Sequence, residues 1–245
     1  MLNTLEYGEA GLPKLLIAHG LFGSARNWGV ISKRLSDIRH VVSADMRNHG
    51  ESPRYPTQSY ADMAGDLAAL LDTPADVLGH SMGGKAAMVM ALAHPEKVRK
   101  LVVADIAPVA YGHSQSHHIA AMKALDLDAI ETRAQAAALL QVDEEVRDFF
   151  LQSLDVQDKK WRLNLDVLEQ DMAKIIGFPD VSGQFAGPTL FLTGAASDYV
   201  QPAHRDRIKA LFPKARFAKI SGAGHWLHAQ QPRAFEQTVR AFLTS

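Results

Sequence analysis

Val77-Leu78-Gly79-His80-Ser81-Met82-Gly83-Gly84 decides how this chain is read. Three features follow one another there: a short apolar strand, a tight glycine-flanked turn, and a helix opening Lys85-Ala86-Ala87-Met88-Val89-Met90. A serine on such a turn is held in a strained backbone conformation, which flanking glycines permit because they leave the turning chain room. Its hydroxyl projects from the C-terminal edge of a sheet, and the helix start behind it favours developing negative charge. The pentapeptide Gly79–Gly83 therefore has the form of a nucleophile elbow, with Ser81 as candidate nucleophile. The alternative, a plain Gly-rich turn, does not call for the strand before it and the helix after it. Gly83-Gly84-Lys85 is no phosphate loop either, since Gly-x-x-x-x-Gly-Lys-Ser/Thr is missing and Lys85 falls inside the helix.

Outward from the elbow, short apolar runs alternate with helical stretches. Leu15–Ala18, His40–Ala44, Lys100–Ala104, Pro188–Leu192 and Arg216–Ile220 read as strands, with residues 2–7 as an edge strand. Residues 27–35, 59–71, 202–212 and 232–243 read as helices, the last opening on Pro232. Such alternation predicts an α/β fold with a mostly parallel central sheet flanked by helices. The rhythm breaks between 109 and 186, where no strand is evident and helices are expected near 115–125, 131–141, 143–153 and 164–176. We therefore expect a core of 1–108 and 187–245 carrying a helical cap at 109–186.

Composition narrows the functional classes. At 245 residues and 47% hydrophobic, the chain is sized for one large core. The 26 basic and 27 acidic residues are interspersed, which gives no electrostatic reason to expect nucleic acid or an anionic membrane. Cysteine is absent, so disulfides, thiolate catalysis and Cys-ligated metals are excluded. The N-terminus lacks the pattern of a secretion signal, and no run reaches the roughly 18 apolar residues of a membrane helix. The expected location is cytoplasmic.

Serine-based acyl transfer needs a base, a group to orient that base, and donors for the oxyanion. Among the 11 histidines, His225 follows the last strand within Gly222-Ala223-Gly224-His225, where glycines leave the ring free to swing to the serine. His19 is expected to hold the oxyanion loop by hydrogen bonding. His113, His117 and His118 invite a metal reading, but no carboxylate pattern completes a ligand set, so no metal is expected. Three carboxylates are open for the acid. The customary place after the Pro188–Leu192 strand holds Ser197, with Asp198 one step later and differently aimed. Asp105 ends the strand next to the elbow strand and is preferred; Asp166 lies in the cap segment. The oxyanion donors are expected to be the amides of Met82 and Leu21, with Phe22 as alternative to Leu21. Phe22, Trp161 and Trp226 are candidate pocket walls.

Six motifs together resemble the α/β-hydrolase superfamily, and more narrowly the YbfF-type small acyl esterases of bacteria and their mitochondrial counterparts. Three are His19-Gly20-Leu21-Phe22-Gly23-Ser24, Asp45-Met46-Arg47-Asn48-His49-Gly50 and Gly79–Lys85. The others are Asp105-Ile106-Ala107-Pro108-Val109, Trp161–Asp166 and Gly222–Trp226. The resemblance implies hydrolysis of short acyl esters, or acyl-CoA thioesters, without a cofactor, and it supports Asp105. Carbon–carbon bond hydrolysis, lactonase or perhydrolase chemistry on the same triad is the nearest alternative function. A non-catalytic ligand receptor is the alternative from another class.

Overall fold

The computed structural model describes residues 1–245. Its first half alternates as the sequence pattern predicts: β1 (Thr4–Tyr7), β2 (Lys14–Ala18), α1 (Gly29–Leu35), β3 (His40–Ala44), α2 (Tyr60–Ala69), β4 (Ala75–His80), α3 (Met82–Ala93) and β5 (Val98–Ala104). An insertion follows, with α4 (Ser116–Lys123), α5 (Arg133–Leu139), α6 (Glu144–Leu151), a hairpin of β6 (Leu154–Asp155) and β7 (Lys160–Trp161), α7 (Leu165–Gln170) and α8 (Met172–Ile176). The chain closes with β8 (Thr189–Gly194), α9 (Arg205–Leu211), β9 (Ala215–Ile220), α10 (Leu227–Gln230) and α11 (Pro232–Thr244).

Seven strands form one sheet in the order β1-β3-β2-β4-β5-β8-β9. Only β1 runs antiparallel, at the edge against β3. Every residue of β4 and β8 is buried, as expected where helices cover both faces of a parallel sheet. Alternate strand positions serve different faces. Leu16, Val77, Val103 and Phe191 pack with α2, α3 and α9, while Leu15, Leu78, Val102 and Leu190 pack with α1 and α11. No helix is long and apolar enough to cross a membrane.

The structure departs from the sequence reading in three places. The stretch between β5 and β8 does contain strands, but each of β6 and β7 has two residues, too few to leave a period-2 pattern. The helix expected over 164–176 is two helices, parted at Asp171. That buried carboxylate accepts a hydrogen bond from the Gln58 amide (2.7 Å) and pairs with Lys174 (2.8 Å), which turns the chain there. The four-residue α10, directly behind His225, was not expected.

Candidate active site

The C-terminal ends of β4, β5, β8 and β9 form a rim, and the candidate residues converge on it. Ser81 follows β4 at φ +52° and ψ −119°, a conformation that is strained for a residue with a Cβ. Its amide is anchored to the Ala104 carbonyl (3.1 Å). The flanking glycines are required by close approach: a Cβ on Gly79 would stand 2.2 Å from the Gly83 carbonyl, and one on Gly83 2.4 Å from the carbonyls of Ala18 and His19.

Asp105 repeats this device one strand over, with φ +52° at the end of β5. Its carboxylate is fully buried. Oδ1 accepts the Gly194 amide (3.0 Å), and Oδ2 accepts both the Ser197 hydroxyl (2.5 Å) and His225 Nδ1–H (2.8 Å). On the other side of the ring, His225 Nε2 lies 3.0 Å from Ser81 Oγ. With the carboxylate fixing the proton on Nδ1, Nε2 is left as the acceptor for the serine hydroxyl. Ser197, in the customary acid position, thus supports the carboxylate from the neighbouring strand. Neither Asp198 nor Asp166 hydrogen-bonds the ring, and Asp166 pairs with Lys123 on the surface (2.7 Å).

Three side chains that the sequence did not single out hold this line. His80 Nε2 donates to the His225 carbonyl (2.8 Å), fixing the backbone that carries the imidazole. Tyr199 stacks on the His225 ring, with centroids 3.9 Å apart and planes 16° from parallel. His49 Nε2 accepts the Phe22 amide (3.2 Å), while its Nδ1 donates to the Arg47 carbonyl (2.8 Å). Of the two loop amides considered for the oxyanion, Phe22's is therefore occupied, whereas Leu21's has no acceptor within the chain. His19 braces the same loop by donating to the Gly20 carbonyl (2.8 Å) and accepting the Met46 amide (2.9 Å). Burial keeps these rings neutral: it lowers His19, takes His80 well below its ordinary value, and takes His49 down to about 3.

Ser81 opens into a mostly apolar cavity of about 280 Å³ between the rim and the insertion. Phe22 and Trp226 line it, as do Phe150, Ile175 and Ile176 from the insertion. Trp161 does not, contrary to the sequence expectation. It is buried within the insertion, where its indole N–H donates to the Met122 carbonyl (3.0 Å), and it borders a separate polar cleft with Arg54 and Arg162. Of the three histidines whose spacing invites a metal reading, His113 bonds the Tyr199 hydroxyl (2.9 Å) and His117 packs against His118. No three His, Asp or Glu side chains converge on a common metal position. The arrangement can pass a proton from a hydroxyl to a half-buried imidazole oriented by a buried carboxylate, beside an apolar cavity.

Comparison with known proteins bears on the chain as a whole. The family described as "Alpha/beta hydrolase family" matches residues 15–238. The chain is 42% identical to the sn-1-specific diacylglycerol lipase ABHD11 of Mus musculus, covering 98% of this chain and 84% of that protein. It is 40% identical to the esterase YbfF of Escherichia coli (strain K12), covering 94% and 92% respectively. Among solved structures, a marine microorganism esterase superposes with a TM-score of 0.93 at 39% identity, covering 98% of each chain.

Proposed function

Because the chain belongs to the alpha/beta hydrolase family and is a carboxylic ester hydrolase, we propose that it cleaves short- to medium-chain acyl esters, including thioesters, through an acyl-enzyme on Ser81. The observation that carries this reading is the unbroken line from buried carboxylate to imidazole to hydroxyl, at 2.8 and 3.0 Å.

In this reading Ser81 Oγ attacks the acyl carbon while His225 Nε2 takes its proton. Asp105 holds the ring in the Nδ1–H tautomer and stabilises the imidazolium that forms. The amides of Leu21 and Met82 receive the oxyanion; one such donor is worth about 100- to 1000-fold in rate. Collapse of the tetrahedral intermediate expels the alcohol or thiol, which His225 protonates. A water then attacks the acyl-enzyme with the same base, releasing the acid and restoring Ser81. The insertion acts as a cap whose apolar side chains receive the acyl chain. At about 280 Å³ the cavity lies near the small end of ligand pockets, roughly 300–1,000 Å³, which favours short and medium chains.

Treatment with a serine-directed fluorophosphonate, followed by intact-mass measurement, tests this. One adduct on the wild type and none on Ser81→Ala is expected. A folded wild type that takes no adduct, or an adduct that survives the substitution, overturns it.

A further inference from the structure

Lys85 is the single charged residue of α3 and sits one turn beyond Ser81, at 1% exposure. Its ammonium donates to the carbonyls of Ile176 (2.8 Å) and Gly177, and lies 4.7 Å from the Tyr111 ring centroid and 5.8 Å from that of Tyr60. No carboxylate stands against it. An ammonium buried without an anion is costly, and a methionine would fill the space of its stem without that cost. What the charge does provide is a grip on the insertion. The last carbonyls of a helix have no partner within it. Here Tyr60 and Lys85 take them from the core side, and Tyr111 from the start of the insertion: Ile175 O accepts the Tyr60 hydroxyl (2.5 Å), Ile176 O accepts Lys85 and the Tyr111 amide (3.0 Å), and Gly177 O accepts Lys85. The side chains of Ile175 and Ile176 are cavity wall, and Lys85, Tyr60 and Tyr111 border the same cavity behind them.

We propose that Lys85 is a positioning residue for acyl-length specificity: by tying the end of α8 to the helix that begins at the nucleophile, it fixes the wall against which the acyl chain packs. This rests on the esterase reading above. The tie is sensitive to protonation, because charge-assisted hydrogen bonds are about twice as strong as neutral ones. Burial lowers the Lys85 ammonium from its ordinary value to about 7. The groups facing it do not change charge near neutrality. Burial raises both Tyr60 on α2 and Tyr111 after β5 above the ordinary tyrosine range, and α8 presents only carbonyls. The charged pair of α8's first turns, Lys174 and Asp171, is engaged with itself (2.8 Å). The tie is therefore strong below about pH 7 and weakens above it.

The readout is the ratio of kcat/KM for p-nitrophenyl octanoate to that for p-nitrophenyl acetate, between pH 6 and 8.5. Any pH dependence of the chemical step common to both esters cancels in the ratio. For the wild type the ratio is expected to fall about fivefold across this range, the loss of one charge-assisted component. For Lys85→Met at pH 6 it is expected to lie about tenfold below wild type, through KM for the octanoate, and to stay level with pH. Tyr60→Phe removes the neighbouring tie without touching the charge, so its ratio drops while its pH step persists. A wild-type ratio that is level with pH, or a Lys85→Met ratio equal to wild type, overturns the proposal. Should Lys85→Met not fold, the wild-type pH series and Tyr60→Phe decide it. Absence of acetate hydrolysis by the wild type would instead count against the esterase reading itself.

Discussion

The rim and the insertion meet at one cavity, yet they are held by different means. At the rim the strained backbone of two strand ends sets the positions, and buried side chains such as His80 and His49 brace it. Ser81 and Asp105 end adjacent parallel strands at the same φ of +52°, and Gly79 and Gly83 have no room for a methyl group. In the insertion short helices are placed by individual side chains: Tyr60 and Lys85 on the end of α8, Asp171 on the Gln58 amide, and the Trp161 indole on Met122. Backbone constraint specifies one geometry within tight limits, which proton transfer needs. Side-chain ties hold a wall contact by contact, so that a single substitution can move it without disturbing the rim.

The largest effect that separates the two regions is expected at the acid. Asp105→Asn preserves shape but offers His225 Nδ1 the wrong partner, so kcat should fall by about 10⁴-fold, as for other triads whose carboxylate becomes an amide. Asp198→Asn and Asp166→Asn, which leave the imidazole's bonds intact, should stay within about threefold of wild type. Steady-state kinetics of the three variants on one ester ranks the carboxylates. A nearly active Asp105→Asn would move the acid elsewhere and cost the rim its central role.

Acid should also reach the rim before it reaches the insertion. His19, His49, His80 and His228 lie under the rim, and burial holds all four below the ordinary histidine range, His49 and His228 down to about 3. Among the histidines of the insertion only His118 is lowered, by burial and its neighbour His117. Each ring is neutral when folded, whereas in the unfolded chain it takes a proton as pH falls through about 6.5. Between pH 6.5 and the lowered values the unfolded state binds the extra protons, so stability declines as the solution is acidified and is full only above pH 6.5. Each such ring contributes up to about 1.4 kcal/mol per pH unit, so several acting together should produce a steep fall in denaturation midpoint from pH 6.5 to 5. His49→Gln should flatten that slope by about one proton. A midpoint independent of pH over this interval would show that the rim does not depend on neutral imidazoles.

The same division explains what could be read from sequence. The elbow is legible because its geometry is local: a strained serine needs small neighbours two residues away on each side, and those neighbours are glycines. His225 is legible for a similar reason, since Gly222 and Gly224 mark the loop that frees it. Asp105 was one of three carboxylates, because what distinguishes it, the Ser197 hydroxyl on its Oδ2, joins residues 92 positions apart. The roles of His80 and His49 are hidden in the sequence for that reason too: their bonds to His225 and Phe22 span 145 and 27 positions. In the insertion, helical-looking segments locate α4 to α6, but neither a two-residue hairpin nor the break at Asp171 leaves a periodic trace. Which way a tryptophan points is likewise set by tertiary packing alone.

Trp161 and Trp226 give that last point its test, with the smallest expected effect. Both are large apolar residues of the kind that walls a pocket, but only Trp226 borders the cavity, beside His225. Trp161 is a strut joining β7 to the end of α4 through its indole hydrogen bond. Trp161→Phe keeps most of the ring and removes that bond, leaving the Met122 carbonyl without this donor, so stability should fall by about 1–2 kcal/mol. Its acyl-length profile should match wild type, because the cavity wall is untouched. Trp226→Phe should do the reverse, shifting the profile while leaving the denaturation midpoint within about 1 kcal/mol of wild type. If Trp161→Phe changed the length preference instead, the insertion would be transmitting strain to the cavity through its interior, and the contrast between a fixed rim and an adjustable wall would have to be redrawn around β7.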